Sequence, residues 1–158
     1  MSSPGMLMPM AKRVGYALKR AQQALRTRMD DVLRPLGLTT PQYAVLSALE
    51  LEPGISNAAI ARAAFVTAQT MQGIVANLER AGLLRRSADS THGRVLHGEL
   101  TASGRTVLRR AHRVVAEVEA AMTASLPERD ALRLATLLKS CADNLAYLAR
   151  NPPQCRIE

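Results

Sequence analysis

After Gly82 the chain changes its hydrophobic rhythm, and this change restricts the fold more than any other feature of the sequence. Before it, apolar side chains recur in steps of three and four, as in helices that bury one face. Val14, Leu18, Ala21, Leu25, Met29 and Val32 trace the first such face over a helix from about Met10 to Leu33. Pro35 ends it, because proline pushes the residue before it out of helical space. A second stripe, Tyr43, Leu46, Ala48 and Leu49, follows Thr39-Thr40-Pro41-Gln42. Thr and Gln three residues apart fit a capping box, and proline suits a first turn. After the break at Pro53-Gly54, Ser56 is placed to cap a short third helix with Ala59, Ile60 and Ala63 inward. A fourth helix is expected from Thr67, with Met71, Ile74, Val75 and Leu78 on its buried side and Gly82 as its stop.

From Leu83 to Ser87, and again from Val95 to Leu100, the pattern reads as extended. The polar stretch Ala88-Asp89-Ser90-Thr91-His92-Gly93-Arg94 between them makes a hairpin with a basic tip. Two strands form an appendage and not a sheet domain. Thr101 then caps a fifth helix reaching about Ser125, with Val107, Ala111, Val114, Val118 and Met122 as its stripe. Ser125 and Glu128 fit a further capping box, with Pro127 in the first turn. The last helix carries Leu134, Leu138, Cys141, Leu145 and Leu148, a short heptad pattern suited to packing helix on helix, and stops before Pro152-Pro153.

The expected class is therefore mainly α with a small β-hairpin. Three short helices followed by a two-stranded wing make a winged helix-turn-helix, here residues 37–101. The function such a lobe serves follows from dimensions. A major groove about 12 Å wide admits one α-helix. The segment from Thr67 to Leu78 is about 18 Å long. With its apolar stripe turned to the core, it offers Thr67, Gln69, Thr70, Gln72 and Asn77 outward. Amide side chains pair bidentately with adenine, and threonine meets a thymine methyl or a phosphate. Arg94 at the wing tip suits the negative potential of a minor groove, His92 lies beside it, and Arg85 and Arg86 are placed for phosphates.

Charge supports the same partner. The 158 residues carry a formal net charge of +8, and nearly all cations are arginine, with only Lys12, Lys19 and Lys139 as lysines. Residues 1–34 and 85–113 hold most of the excess, the remainder being close to neutral. Arginine forks onto phosphates and base edges better than lysine. A basic balance of this kind favours an anionic partner, of which nucleic acid is one class. Together with the winged lobe, it makes double-stranded DNA the expected partner.

Three phrases in order carry a family resemblance: Leu38-Thr39-Thr40-Pro41-Gln42-Tyr43-Ala44-Val45-Leu46, then Leu78-Glu79-Arg80-Ala81-Gly82-Leu83-Leu84, then Leu100-Thr101-Ala102-Ser103-Gly104. Over residues 12 to 150 the chain resembles the MarR family of bacterial transcription regulators. The resemblance implies a homodimer built by a helical dimerisation region, residues 10–36 and 102–150 here. It also implies a repressor that reads a pseudo-palindromic operator and is released by a small phenolic or anionic effector. Some members sense oxidants through cysteine, which would give Cys141 or Cys155 a role. The chain departs from the family at His92, where the wing usually carries aspartate, and at Gly73 and Asn77, where the recognition helix often carries arginine. Those departures leave one alternative, a winged-helix protein-interaction module with little DNA affinity, and the two cysteines leave another, a cysteine-based redox-sensing regulator on the same fold.

Other classes are disfavoured. No metal constellation, phosphate loop or paired nucleophile and base is visible, so no enzyme, metal or cofactor is expected. Phe65 and three tyrosines offer no stacking platform for single strands. Cys141 lies on an apolar stripe and reads as a small buried hydrophobe. His112 reads as a surface or interface histidine, and Met10 and Tyr16 as packing or pocket lining. Residues 1–9 and 151–158 read as tails. With no signal segment and no apolar run of the ~18 residues a membrane needs, the cytoplasm is the expected compartment.

Overall fold

The computed structural model describes residues 9–53, 55–86 and 98–151. The expectations for Gly54, the wing tip with His92 and Arg94, Cys155 and most of both tails lie outside these residues. The chain divides into two compact units, Met1–Val118 and Glu119–Glu158. The first opens with a 3-10 turn at Met10–Lys12 and α1 (Val14–Leu33), then a second such turn at Arg34–Leu36. It continues through α2 (Thr40–Leu51), α3 (Asn57–Ala63), α4 (Ala68–Arg80), β1 (Leu84–Arg86) and β2 (Gly98–Leu100) into α5 (Ala102–Thr123). The second unit holds the end of α5 and α6 (Glu128–Arg150).

The three central helices start on hydroxyls, as their sequences predict. Thr39 Oγ1 accepts the Gln42 amide at 3.4 Å while Gln42 Oε1 accepts the Thr39 amide at 2.9 Å, closing the capping box. Ser56 Oγ accepts from Ala59 N–H, and Thr67 Oγ1 from Thr70 N–H, each at 3.2 Å. Each cap satisfies one of the donors that a helix start leaves unpaired. Pro35 sits in the turn that follows α1. Gly82 ends the run after α4 with φ +68°, the left-handed conformation that glycine adopts without a steric penalty. β1 and β2 pair antiparallel, with Leu84 opposite Leu100 and Arg86 opposite Gly98.

The core is aliphatic. Leu33, Leu46, Ile60, Met71, Leu78 and Leu108 are its largest fully buried side chains. Burying each is worth about 1.5–3 kcal/mol. All four residues of the α4 stripe are buried. Along α3 and its C-cap, Ile60, Ala61 and Ala64 are buried and Ala59 is half-buried.

Four expectations need correcting. The α1 stripe meets the core only at its C-terminal end, through Met29, Val32 and Leu33, whereas Val14 and Leu18 are exposed. The helix is longer than the surface it packs on. In α5 the inward line is Gly104, Leu108, Ala111, Val115 and Val118, with Val107 and Val114 at its edge and Met122 exposed. The rotation of α5 is set by its close approach at Gly104. The expected capping box at Ser125 is absent: Pro127 is the N-cap, and its carbonyl accepts from the amides of Asp130 and Ala131. Ser125 lies two residues too early. Glu128 and Asp130 instead place negative charge at the positive end of the α6 dipole. Cys141 is exposed and not buried, because no residue of α6 is buried within this chain.

One node fixes the end of α4, the root of the wing and the start of α5. Thr101 Oγ1 donates to the Gly82 carbonyl at 2.7 Å and accepts from Gly104 N–H at 2.9 Å. The Thr101 amide donates to the Leu83 carbonyl at 3.2 Å. Gly104 then passes so close that a Cβ there would lie 2.0 Å from the Leu83 carbonyl oxygen. A second tie runs between α2 and α5. His112 Nδ1 lies 3.0 Å from Tyr43 Oη, and His112 Nε2 lies 2.9 Å from Glu50 Oε2. The histidine read as a surface or interface residue thus bridges two helices.

Gly104→Ala is expected to destabilise the protein by roughly 1–3 kcal/mol, since the obstruction is backbone and cannot swing aside. Urea denaturation of the two proteins measures the difference.

Candidate nucleic-acid interface

α4 presents its exposed side on a rigid base. Its four buried side chains lock the helix to the core, and the Thr67 cap fixes its first turn. At 3.6 residues per turn, Gln69, Gly73 and Arg80 lie opposite that buried stripe. Thr70 and Asn77 line one flank and Gln72 the other. All of these residues are exposed. Four of the expected positions, Gln69, Thr70, Gln72 and Asn77, are therefore brought together on the open side of one rod, while Thr67 precedes the helix as its N-cap.

Their partners refine what each can do. The Thr67 and Thr70 hydroxyls lie 2.9 Å apart, and Thr67 already accepts the Thr70 amide. Thr67 is thus first a cap. Gln69 and Gln72 project from the exposed surface as amides able to donate and accept. Asn77 Oδ1 accepts a hydrogen bond from Arg80 Nη2. Arg80 is exposed, and the partner of its guanidinium there is a neutral amide. Sequence reasoning passed over Arg80 because it lay inside the phrase Leu78-Glu79-Arg80-Ala81-Gly82. The signal was available, since Arg80 lies seven residues after Gly73 and so returns to the same face.

The wing root differs from the expectation of free cations. Arg85 Nε and Nη2 both reach Glu99 Oε2, at 3.1 and 2.7 Å, across the β1–β2 pair. The register places these two residues directly opposite each other. Arg85 is therefore neutralised by a cross-strand carboxylate. Arg86 follows it on β1, opposite Gly98. His92 and Arg94 lie outside the described residues.

Among the described residues no group of three or more His, Cys, Asp or Glu side chains is placed to hold a metal. Among the same residues no helix is long and apolar enough to cross a membrane.

Comparison with known proteins places this architecture. Residues 36–95 match the family model described as MarR family. The chain is 42% identical over 113 residues to the HTH-type transcriptional repressor Rv2887 of Mycobacterium tuberculosis, covering 72% of this chain and 81% of that protein. The crystal structure of Rv2887 in complex with DNA superposes with a TM-score of 0.66 at 33% identity, over 82% of this chain and 97% of that one. Its complex with salicylic acid gives 0.67 at 37% identity, over 82% and 96%.

Two substitutions separate cap from ion pair. Thr67→Ala is expected to cost about 1 kcal/mol of stability through loss of the cap. Glu99→Gln is expected to cost less than about 1 kcal/mol, because the paired side chains are 71% and 55% exposed. Denaturant midpoints at a common m-value test both.

Proposed function

The chain belongs to the MarR family, and from that premise we propose that it is a transcriptional regulator that represses by binding duplex DNA as a homodimer. The observation that carries this reading is the exposed side of α4, a capped and core-anchored rod bearing Gln69, Thr70, Gln72, Asn77 and Arg80. Amides and threonine read base edges in the major groove, and Arg80 adds the fork that suits guanine or a phosphate. Arg86, together with His92 and Arg94 of the wing, is assigned to the backbone and the adjacent minor groove. Arg85 joins them when a phosphate displaces Glu99.

The dimer is supported by apolar surface left over in a single chain. Leu134, Leu138, Leu145 and Leu148 of α6 are all exposed, as are Val14 and Leu18 of α1. Exposed apolar stripes of this extent mark interaction surfaces. We assign residues 10–36 and 102–150 to dimerisation and residues 37–101 to DNA binding. Two copies then set two α4 helices about 34–36 Å apart on one face of the duplex. A small aromatic carboxylate is the effector class we assign, by analogy with the salicylate complex of Rv2887.

Fluorescence anisotropy with the duplex flanking the protein's own gene is the test. Binding should weaken steeply with added salt as counterions are released. Arg80→Ala should lose roughly 1–3 kcal/mol of affinity for that duplex and relax its sequence preference. A protein that binds no duplex at low salt, or that sediments as a monomer, would overturn the reading.

A further inference from the structure

The turn between α3 and α4 contains an anomaly that the fold itself does not require. Phe65 adopts φ +53°, the left-handed conformation, as the only non-glycine to do so among the described residues. Its amide donates to the Arg62 carbonyl at 3.1 Å, and the Val66 amide to the Ala61 carbonyl at 2.9 Å. These two bonds close a Schellman turn, in which the left-handed position is usually glycine. The other described residues with positive φ, Gly37 and Gly82, are glycines. A side chain at such a position crowds the backbone, and the ring gains nothing in return within the chain. Phe65 is 96% exposed. Backbone strain that the surrounding fold does not need collects at functional sites.

What surrounds the ring identifies its partner. From Pro53 to Leu78 the sequence contains no aspartate or glutamate, and its single charged residue is Arg62. Arg62 is exposed in the last turn of α3, and Thr67 and Thr70 expose hydroxyls at the start of α4. Along the chain the ring is thus flanked by one exposed cation and two exposed hydroxyls, and the segment holds no carboxylate. That setting admits a polyanion. Phenylalanine has no hydrogen-bonding group, so its complement on DNA is the carbon face of a deoxyribose. Polar groups on either side are suited to the flanking phosphates.

We propose that Phe65 is a DNA-contact residue that packs on the sugar-phosphate backbone beside the groove entered by α4. The inference rests on the reading of α4 given above. Contact with backbone sugar makes the ring a contributor to affinity and not to sequence choice. The left-handed turn is the device that aims it, because the Schellman bonds and the half-buried Val66 hold the backbone on either side.

Three proteins test this: wild type, Phe65→Gly and Phe65→Ala. Each is titrated against the duplex upstream of its own gene and against a scrambled duplex of equal length. Thermal unfolding and sedimentation are run in parallel. Phe65→Gly should unfold at a higher temperature than wild type while binding both duplexes on the order of tenfold more weakly. Phe65→Ala should lose the same affinity without the thermal gain, since its backbone remains crowded. Variants that bind both duplexes as tightly as wild type overturn the inference alone. Loss confined to the specific duplex overturns the backbone assignment, and a change of oligomeric state shows that the ring meets protein instead. Wild type that binds neither duplex overturns the parent reading and this one with it.

Discussion

The first unit depends on one backbone crossing. The Leu83 carbonyl accepts the Thr101 amide at 3.2 Å, and the Thr101 hydroxyl donates to Gly82 at 2.7 Å. There α4 ends, the wing begins and α5 starts within a few ångströms. Only glycine at 104 lets the helix come so close. Because α5 is held there at its first turn, its rotation is fixed, and the residues it turns inward follow. Leu108, Ala111 and Val115 face the core because Gly104 does. The hairpin inherits its position from the same crossing, since Leu84 and Leu100 pair at its root and are both buried.

How much of this was legible depended on whether a feature was local. Hydroxyl caps at Thr39, Ser56 and Thr67 act over three residues, so their sequence signals were sufficient. The α4 stripe was legible because the helix packs along its whole length. The phase of α5 was not, because periodicity allows Val107 or Leu108 as the inward residue and a glycine–carbonyl contact across the chain decides between them. The neutralisation of Arg85 was equally out of reach, since it depends on the strand register that puts Glu99 opposite. The exposure of Cys141 follows from a similar limit: a heptad stripe says that a helix packs on something, but not that the partner belongs to the same chain. Arg80 differs from these. Its place on the exposed side of α4 follows from counting, and a motif read as a unit concealed it.

The charge distribution divides labour between the parts of the surface. The exposed side of α4 is almost neutral, built from amides and hydroxyls with Arg80 at one end, whereas the cations cluster in residues 1–34 and 85–113. Long-range attraction falls off with ionic strength and carries no base information. Short hydrogen bonds from uncharged groups act only at contact and are lost when a base edge mismatches. Under the proposed function, a reading surface with few charges of its own would avoid holding every duplex equally. Gly73 at the centre of that side leaves it without a side chain there, at some cost in helix propensity.

The bridge from Tyr43 through His112 to Glu50 couples α2 to α5 in a specific way. An apolar contact between two helices tolerates sliding, because one methyl replaces another. Two directional bonds at 3.0 and 2.9 Å do not. A roll of α5 that carries His112 away from α2 lengthens one or both of these bonds. The two bonds thus give the α2–α5 junction a preferred rotational setting that apolar packing alone would leave loose.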